Sequence, residues 1–96
     1  MKRAAKVDAN QKQIVTALRQ AGCTVQSLAT VGKGCPDLIV GCQGRNFLLE
    51  IKDGSKPPSA RQLTEDQQTW HQNWRGQVVV VESVVEVLHL LGKVNK

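Results

Sequence analysis

The sequence predicts a mixed α/β sandwich in which a sheet of about four strands is flanked by helices. Three features predict this class: an amphipathic helical pattern near the N-terminus, two short apolar runs around a glycine turn, and four successive valines after a second helical pattern. The predicted order is helix, three strands, helix, strand, helix. A chain of 96 residues is enough for one hydrophobic core, so we expect residues 1–96 to form a single domain.

The first helix is predicted from the spacing of its apolar side chains. Ile14 and Leu18 fall on one face at helical spacing, together with two neighbouring apolar residues. Asp8 or Asn10 is placed to cap the start of this helix, and Gly22 is placed to end it.

Three strands are predicted to follow. Residues 23–28 alternate between two faces, which is typical of a short strand. Residues 37–41 and 46–52 are apolar runs around a glycine-containing turn and therefore predict a β-hairpin. The simplest hairpin centres its turn on Gln43 and Gly44.

A mobile loop and a second helix are predicted next. Residues 53–62 contain a glycine and two prolines, which are typical of a loop. Thr64 is a natural N-cap, acidic residues fill the first turn, and Gly76 ends the helix. Trp70 and Trp74 lie at helical spacing, so we expect them to be core residues on the buried stripe of this helix.

The last strand and helix are predicted from a change of pattern. Residues 78–81 are all valine, which is typical of a strand buried on both faces. Ser83 then caps a final helix that runs through Leu91.

The charge balance favours a polyanionic partner. The chain has 13 Lys and Arg against 8 Asp and Glu, a net charge of +5, and basic surface speeds association with phosphate backbones. Residues 1–7 form a basic arm that either contacts nucleic acid or frays as a terminus. An aromatic content of 3% is too low for the stacking platforms that bind single strands.

Other classes of protein are excluded by the cysteines and the hydropathy pattern. Three cysteines without a CxxC pair, and two histidines without zinc-ligand spacing, predict neither a disulfide framework nor a structural zinc. The chain has no apolar run of about 18 residues and no secretory leader at its N-terminus. We therefore expect a cytoplasmic protein with no membrane partner and no small-molecule cofactor.

Charged residues interrupt the two most apolar strands. Asp37 begins one strand, while Glu50 and Lys52 end the other on a shared face that Ile51 points away from. With an even, two-residue turn in the hairpin, Asp37 lies directly opposite Glu50, with Cβ atoms about 4.5 to 5.5 Å apart. An odd turn would place the two acids on opposite faces, so the pairing depends on the length of the turn.

Two carboxylates in this position repel each other unless a cation lies between them. Oxygen ligands favour Mg²⁺ or Mn²⁺, which take one or two carboxylates and complete their shells with water and phosphate oxygens. We predict Asp37, Glu50 and the Ile51 carbonyl as metal ligands. Lys52 would orient the attacking water or balance charge on the phosphate, so the predicted catalytic residues are Asp37, Glu50 and Lys52.

Further substrate contacts are predicted in the two loops and on the second helix. Lys33 and Gly34 in one loop, and Lys56 and Arg61 in the other, flank the acids and are candidates for phosphate contacts, although solvated side chains are an equal alternative. Gln67 completes a capping box at the start of the second helix and points inward. His71 is favoured as a surface histidine over a general base.

Pro36-Asp37, followed after twelve residues by Glu50-Ile51-Lys52, resembles the PD-(D/E)XK nuclease signature. The similarity extends over nearly the whole chain to the VRR-NUC domains, which are small stand-alone nucleases of phage and bacteria and terminal domains of repair nucleases. The supporting segments are Gly34-Cys35-Pro36-Asp37, Leu49-Glu50-Ile51-Lys52, Leu63-Thr64-Glu65-Asp66-Gln67 and Gly76-Gln77-Val78-Val79-Val80-Val81.

The resemblance implies a restriction-endonuclease-like core in the order αβββαβα. It also implies that Asp37 and Glu50 hold the metal, that Lys52 is the catalytic lysine, and that Gln67 is the family's glutamine after the ExK strand. The family's glutamate on the first helix has the shorter Asp8 or the uncharged Gln11 as its counterpart here, so Asp8 is a possible accessory acid.

The function implied is a Mg²⁺- or Mn²⁺-dependent endonuclease acting on double-stranded or branched DNA in a phage or bacterial host cytosol. Small members of the family are associated with homodimers that resemble Holliday-junction resolvases, so a homodimer is expected. Two alternatives stay open at this point: a binding module that does not cut nucleic acid, and an RNA-cleaving member of the same fold.

Overall fold

The computed structural model describes residues 8–94 as a four-stranded sheet with helices on both of its faces. The predicted α/β class and the predicted order of elements are confirmed. The basic arm at residues 1–7 lies outside the described residues. The elements are α1 (Gln11–Gln20), β1 (Thr24–Ser27), β2 (Leu38–Cys42), β3 (Arg45–Ile51), α2 (Glu65–Asn73), β4 (Val78–Val81) and α3 (Val84–Val94), with a short 3-10 turn at Pro58–Ala60 before α2.

The strands lie in the order β1-β2-β3-β4. The pairs β1–β2 and β2–β3 are antiparallel, whereas β3 and β4 are parallel. Gln43 and Gly44 form the turn between β2 and β3 with φ angles of 51° and 77°, the left-handed pair that a type I′ hairpin turn requires. Cys42 therefore lies opposite Arg45, and the predicted even register is confirmed.

The core lies on one face of the sheet, between the strands and helices α1 and α3. Alternate strand residues such as Val40, Leu49 and Ile51 pack there against buried side chains that include Ile14 of α1 and Val87 of α3. Because side chains alternate along a strand, the residues between them face the other way, toward α2. No helix among the described residues has both the length and the apolar run needed to cross a membrane.

Two predictions about burial are wrong. Val80 is 38% exposed, because in the described sheet β4 pairs with β3 alone and is an edge strand, not one covered on both faces. Trp74 is 47% exposed and lies at the C-cap of α2, where its ring stacks on Trp70 with centroids 4.6 Å apart. The inward face of α2 meets polar side chains of the sheet, so the tryptophans lie to one side of it in a partly open apolar groove with Ile39 and Leu48.

The sequence predicts an N-terminal cap for each of the three helices, and the structure confirms two of them. At the start of α3, the Ser83 hydroxyl accepts the Glu86 N–H at 3.1 Å, as predicted. Thr64 caps α2 in a complete capping box with Gln67, as predicted. Asn10 occupies the N-cap position of α1 without capping it through its side chain. Its amide instead donates to the Lys52 and Glu82 carbonyls, at 3.1 and 3.0 Å, and so ties the start of α1 to the ends of β3 and β4.

The loop between β1 and β2 contacts the first turn of α2 at a glycine. Gly34 has φ +82°, and a Cβ atom at this position would overlap the Asp66 carbonyl of α2. Gly32, two residues earlier, also has a left-handed φ of +77°, but a Cβ there would meet nothing within 4 Å. Gly34 therefore allows a close approach between the loop and α2 that no other residue type permits.

Substituting these two glycines separates backbone strain from overpacking. Gly32→Ala should cost about 1 to 2 kcal/mol of unfolding free energy, from the left-handed backbone alone. Gly34→Ala should cost a further 1 to 3 kcal/mol or so, because the loop must move away from α2. Urea unfolding of the two variants beside wild type measures this difference, and equal losses would show that the close approach does not occur.

Candidate active site

The two predicted acids meet where β2 begins and β3 ends. Leu28 N–H donates to the Asp37 carbonyl at 2.8 Å, so the β1–β2 ladder continues to Asp37, just before β2. Leu38 pairs with Leu49 in the β2–β3 register, which places Asp37 opposite Glu50. The Ile51 N–H donates to Asp37 Oδ2 at 2.6 Å and ties this carboxyl group to β3.

Glu50 is a carboxyl group almost without solvent. The residue is 1% exposed, and burial raises its pKa to about 9, with the adjoining Asp37 carboxyl adding to the rise through a hydrogen bond and its charge. The charge of Lys52 opposes the rise, whereas that of Asp8 adds to it. Without a cation the acidic pair therefore retains a proton at neutral pH, as two facing carboxyl groups in a poorly solvated site must.

Lys52 directly follows β3, and its side chain is held by α2. It is 8% exposed, and its Nζ donates to Gln67 Oε1 at 2.7 Å. The same oxygen accepts the Thr64 N–H at 2.9 Å, as half of the capping box. Gln67 Nε2 approaches Glu50 Oε2 at 3.4 Å, so one amide at the start of α2 joins the lysine to the acid. The predicted trio of Asp37, Glu50 and Lys52 is brought together.

His71 is a site residue that its sequence pattern did not predict. Its Nε2 lies 3.1 Å from Glu50 Oε1, and its side chain is 14% exposed, so the preference for a surface histidine was wrong. Burial, and then the charge of Lys52, lower the pKa of His71, which favours the neutral ring. The available signal was the spacing from Gln67: positions four apart share one face of a helix.

The other predicted site residues lie around the trio in different ways. Lys33 is exposed and, with Gly34, lines a small cavity of about 170 Å³ that also has Asp37 and Gln67 in its wall. Asp8 is half-buried and close enough for its charge to act on Glu50. The structure therefore brings the β1–β2 loop and the start of α1 to the acids.

The loop of residues 53–62 contributes less directly to the site. Lys56 is exposed, whereas the Arg61 guanidinium is bound to Glu82 Oε1 at 3.0 Å and to the Lys56 carbonyl at 2.8 Å. A phosphate contact by Arg61 would have to compete with these partners. Substrate contacts by Lys33, Gly34, Lys56, Arg61 and Gln67 stay predictions, as does a ligand role for the Ile51 carbonyl.

The donor set fits a hard cation. In the part of the chain that the structure describes, no group of three or more His, Cys, Asp and Glu side chains is arranged to hold a metal ion. The Asp37–Glu50 pair alone supplies anionic oxygens, which suits Mg²⁺ because that ion usually takes one or two carboxylates and keeps several waters. Cys35 borders the pair, but burial and the charges of Glu50 and Asp37 raise the pKa of its thiol, so it stays protonated.

Comparison with known proteins bears on the fold. No family model matches the chain, and no curated protein does. A solved structure described as a VRR_NUC domain matches it with a TM-score of 0.65 at 28% sequence identity, covering 85% of this chain and 89% of that chain. The chain has a VRR-NUC-like fold. The VRR-NUC-like fold that the sequence resemblance implied is thereby confirmed.

The raised pKa of Glu50 predicts how metal-free stability changes with pH. The folded carboxyl keeps its proton up to about pH 9, whereas the unfolded one loses it near the ordinary value of 4.5. The folded state binds more protons between these values, so stability should fall as the pH rises from about 5 to 9. Thermal unfolding in EDTA across this range should show a steeper fall for wild type than for Glu50→Gln. Parallel curves of stability against pH for the two proteins would contradict the raised pKa of Glu50.

Proposed function

We propose that this chain is a metal-dependent endonuclease that hydrolyses DNA phosphodiester bonds at the site formed by Asp37, Glu50 and Lys52. The observation that carries the proposal is the pair of facing carboxyl groups, one of them fully buried, beside an ammonium group held in place by α2. A core built for stability alone gains nothing from this arrangement, because the buried acid must keep a proton to be tolerated there.

The ion that fits these donors is Mg²⁺ or Mn²⁺. Asp37 and Glu50 would hold it, with the Ile51 carbonyl as a further oxygen donor. When bound there, the ion would supply Lewis-acid activation of the phosphodiester and a water nucleophile at neutral pH. The Ile51 N–H already holds one Asp37 oxygen, so that carboxylate is oriented before any ligand arrives.

Lys52 would act on the substrate through its charge. Its ammonium group is directed by the Gln67 oxygen, and the residue lies two positions beyond Glu50, directly after β3 and on the same face of the sheet. From this position it can orient the attacking water and offset the negative charge that builds up on the phosphate oxygens. Gln67 then serves to position Lys52, and Lys33 on the exposed rim of the site would contact a neighbouring phosphate.

A homodimer acting on branched DNA extends the proposal. A chain of 96 residues buries a modest share of its surface, so a partner subunit would add stability. Several large apolar side chains are exposed and could contribute to such an interface, among them Val31 at 61%, Val85 at 76% and Leu88 at 46%. Two active sites in one dimer would suit a substrate that needs two cuts.

We also propose a cytoplasmic location.

Cleavage of a panel of linear, flap and four-way DNA in Mg²⁺ or Mn²⁺ tests the function. Asp37→Asn should keep the acceptor for the Ile51 N–H, and Glu50→Gln should keep the shape of the buried side chain, so both should fold yet lose at least about 100-fold in rate. Lys52→Met should lose about 10²- to 10³-fold. All three should still bind DNA without metal.

The matched controls are Asp53→Asn, an acid outside the pair, and Lys12→Met on the exposed face of α1, both expected to cut like wild type. If Asp37→Asn and Glu50→Gln cut as fast as wild type, the assignment fails. Wild type that binds DNA but never cuts it would favour a binding module. Faster cleavage of matched RNA would change the substrate class while leaving the site in place, and molecular mass in the same buffer tests the dimer.

A further inference from the structure

We infer that His71 is a positioning residue for the metal-ligand carboxylate of Glu50, forming with Gln67 a two-donor clamp on one face of α2. This inference rests on the proposed function, because it concerns the carboxylate that would hold the cation. The clamp is defined by two contacts, one to each oxygen of Glu50. His71 Nε2 lies 3.1 Å from Oε1, and Gln67 Nε2 lies 3.4 Å from Oε2.

Both donors come from a single rigid element. Gln67 and His71 are four residues apart, so they are stacked on one face of α2, and that face lies over the end of β3. The start of α2 is itself fixed by the capping box of Thr64 and by the close approach of Gly34 to the Asp66–Gln67 peptide. The β1–β2 loop and the capping box therefore fix the position of the clamp.

The His71–Glu50 contact is shielded from solvent. The two side chains are 14% and 1% exposed, so water competes weakly for either partner and the hydrogen bond is stronger than one at the surface. Trp70 lies edge-on to the imidazole, with centroids 6.1 Å apart and planes at 72°, which restricts rotation of the ring. When Glu50 is ionised to hold a cation, a neutral ring that carries its hydrogen on Nε2 donates to its carboxylate.

The contact between His71 and Glu50 orients the Glu50 carboxylate for metal binding. Glu50 must present its carboxylate toward Asp37 to share a cation, and a free glutamate side chain has several rotamers that do not. Hydrogen bonds to a ligating carboxylate select the productive orientation, and losing such an outer partner typically weakens metal affinity by about 10- to 100-fold. His71 thus fixes Glu50 without needing to touch the substrate.

Mn²⁺ binding to full-length variants, measured by the electron paramagnetic resonance signal of free Mn²⁺, tests this role directly. His71→Phe keeps an aromatic ring but removes the donor, and should weaken Mn²⁺ binding about 10- to 100-fold. His71→Gln keeps an N–H donor at similar reach, and should restore most of the affinity. His71→Asn is polar but too short to reach Glu50, and should behave like the Phe variant even if Phe packs poorly.

The control is His89→Phe, the exposed histidine of α3, which should bind Mn²⁺ like wild type. In cleavage assays the loss in His71→Phe should shrink at saturating Mn²⁺, with KM for DNA unchanged, because the residue acts through the metal ligand. Wild-type affinity in both His71→Phe and His71→Asn overturns the inference. So does a Gln variant as weak as Phe when both melt at the wild-type temperature, since an N–H donor at this position would then not restore Mn²⁺ binding.

These outcomes are distinct from failure of the proposed function. If wild type neither binds Mn²⁺ nor cuts DNA, the metal-dependent nuclease is wrong and the positioning role falls with it. The other case is that wild type binds Mn²⁺, that Glu50→Gln abolishes this binding, and that His71→Phe leaves it unchanged. The nuclease proposal then stands, and only the role of His71 is lost.

Discussion

Two carboxyl groups face each other across a pair of antiparallel strands, and one of them is removed from water. Burial and the neighbouring Asp37 raise the pKa of Glu50 to about 9, so the pair is stable only with a proton or a cation between its members. The groups around the pair hold the two carboxyl groups in this arrangement. The Ile51 N–H holds Asp37, and Gln67 and His71 contact Glu50 from α2. Gln67 also accepts a hydrogen bond from Lys52.

Much of this site was predictable because it depends on short-range geometry. A hairpin with Gln43 and Gly44 in its turn has one favoured register, and that register alone places Asp37 opposite Glu50. The alternation of side chains along a strand then brings Lys52 to the same face. The capping box at the start of α2 was predictable for the same reason, since it involves residues three apart.

The remaining features depend on contacts between distant segments, which periodicity does not report. The helical pattern of α2 showed which residues share a face, but not that this face covers charged side chains of β3. His71 is therefore part of the site and Trp74 is exposed, the reverse of the expectation. Four valines suggested a central strand, yet whether a strand lies at an edge depends on its neighbours in the sheet, and β4 pairs with β3 alone among the described strands.

We propose that the facing acids share one hard cation. Anomalous scattering from crystals grown with Mn²⁺ near neutral pH tests it most directly, because it locates the ion without reference to activity. We expect one strong peak at bonding distance from a carboxylate oxygen of both Asp37 and Glu50. A map with no peak there, and with the two carboxyl groups still hydrogen-bonded to each other in excess Mn²⁺, would contradict it.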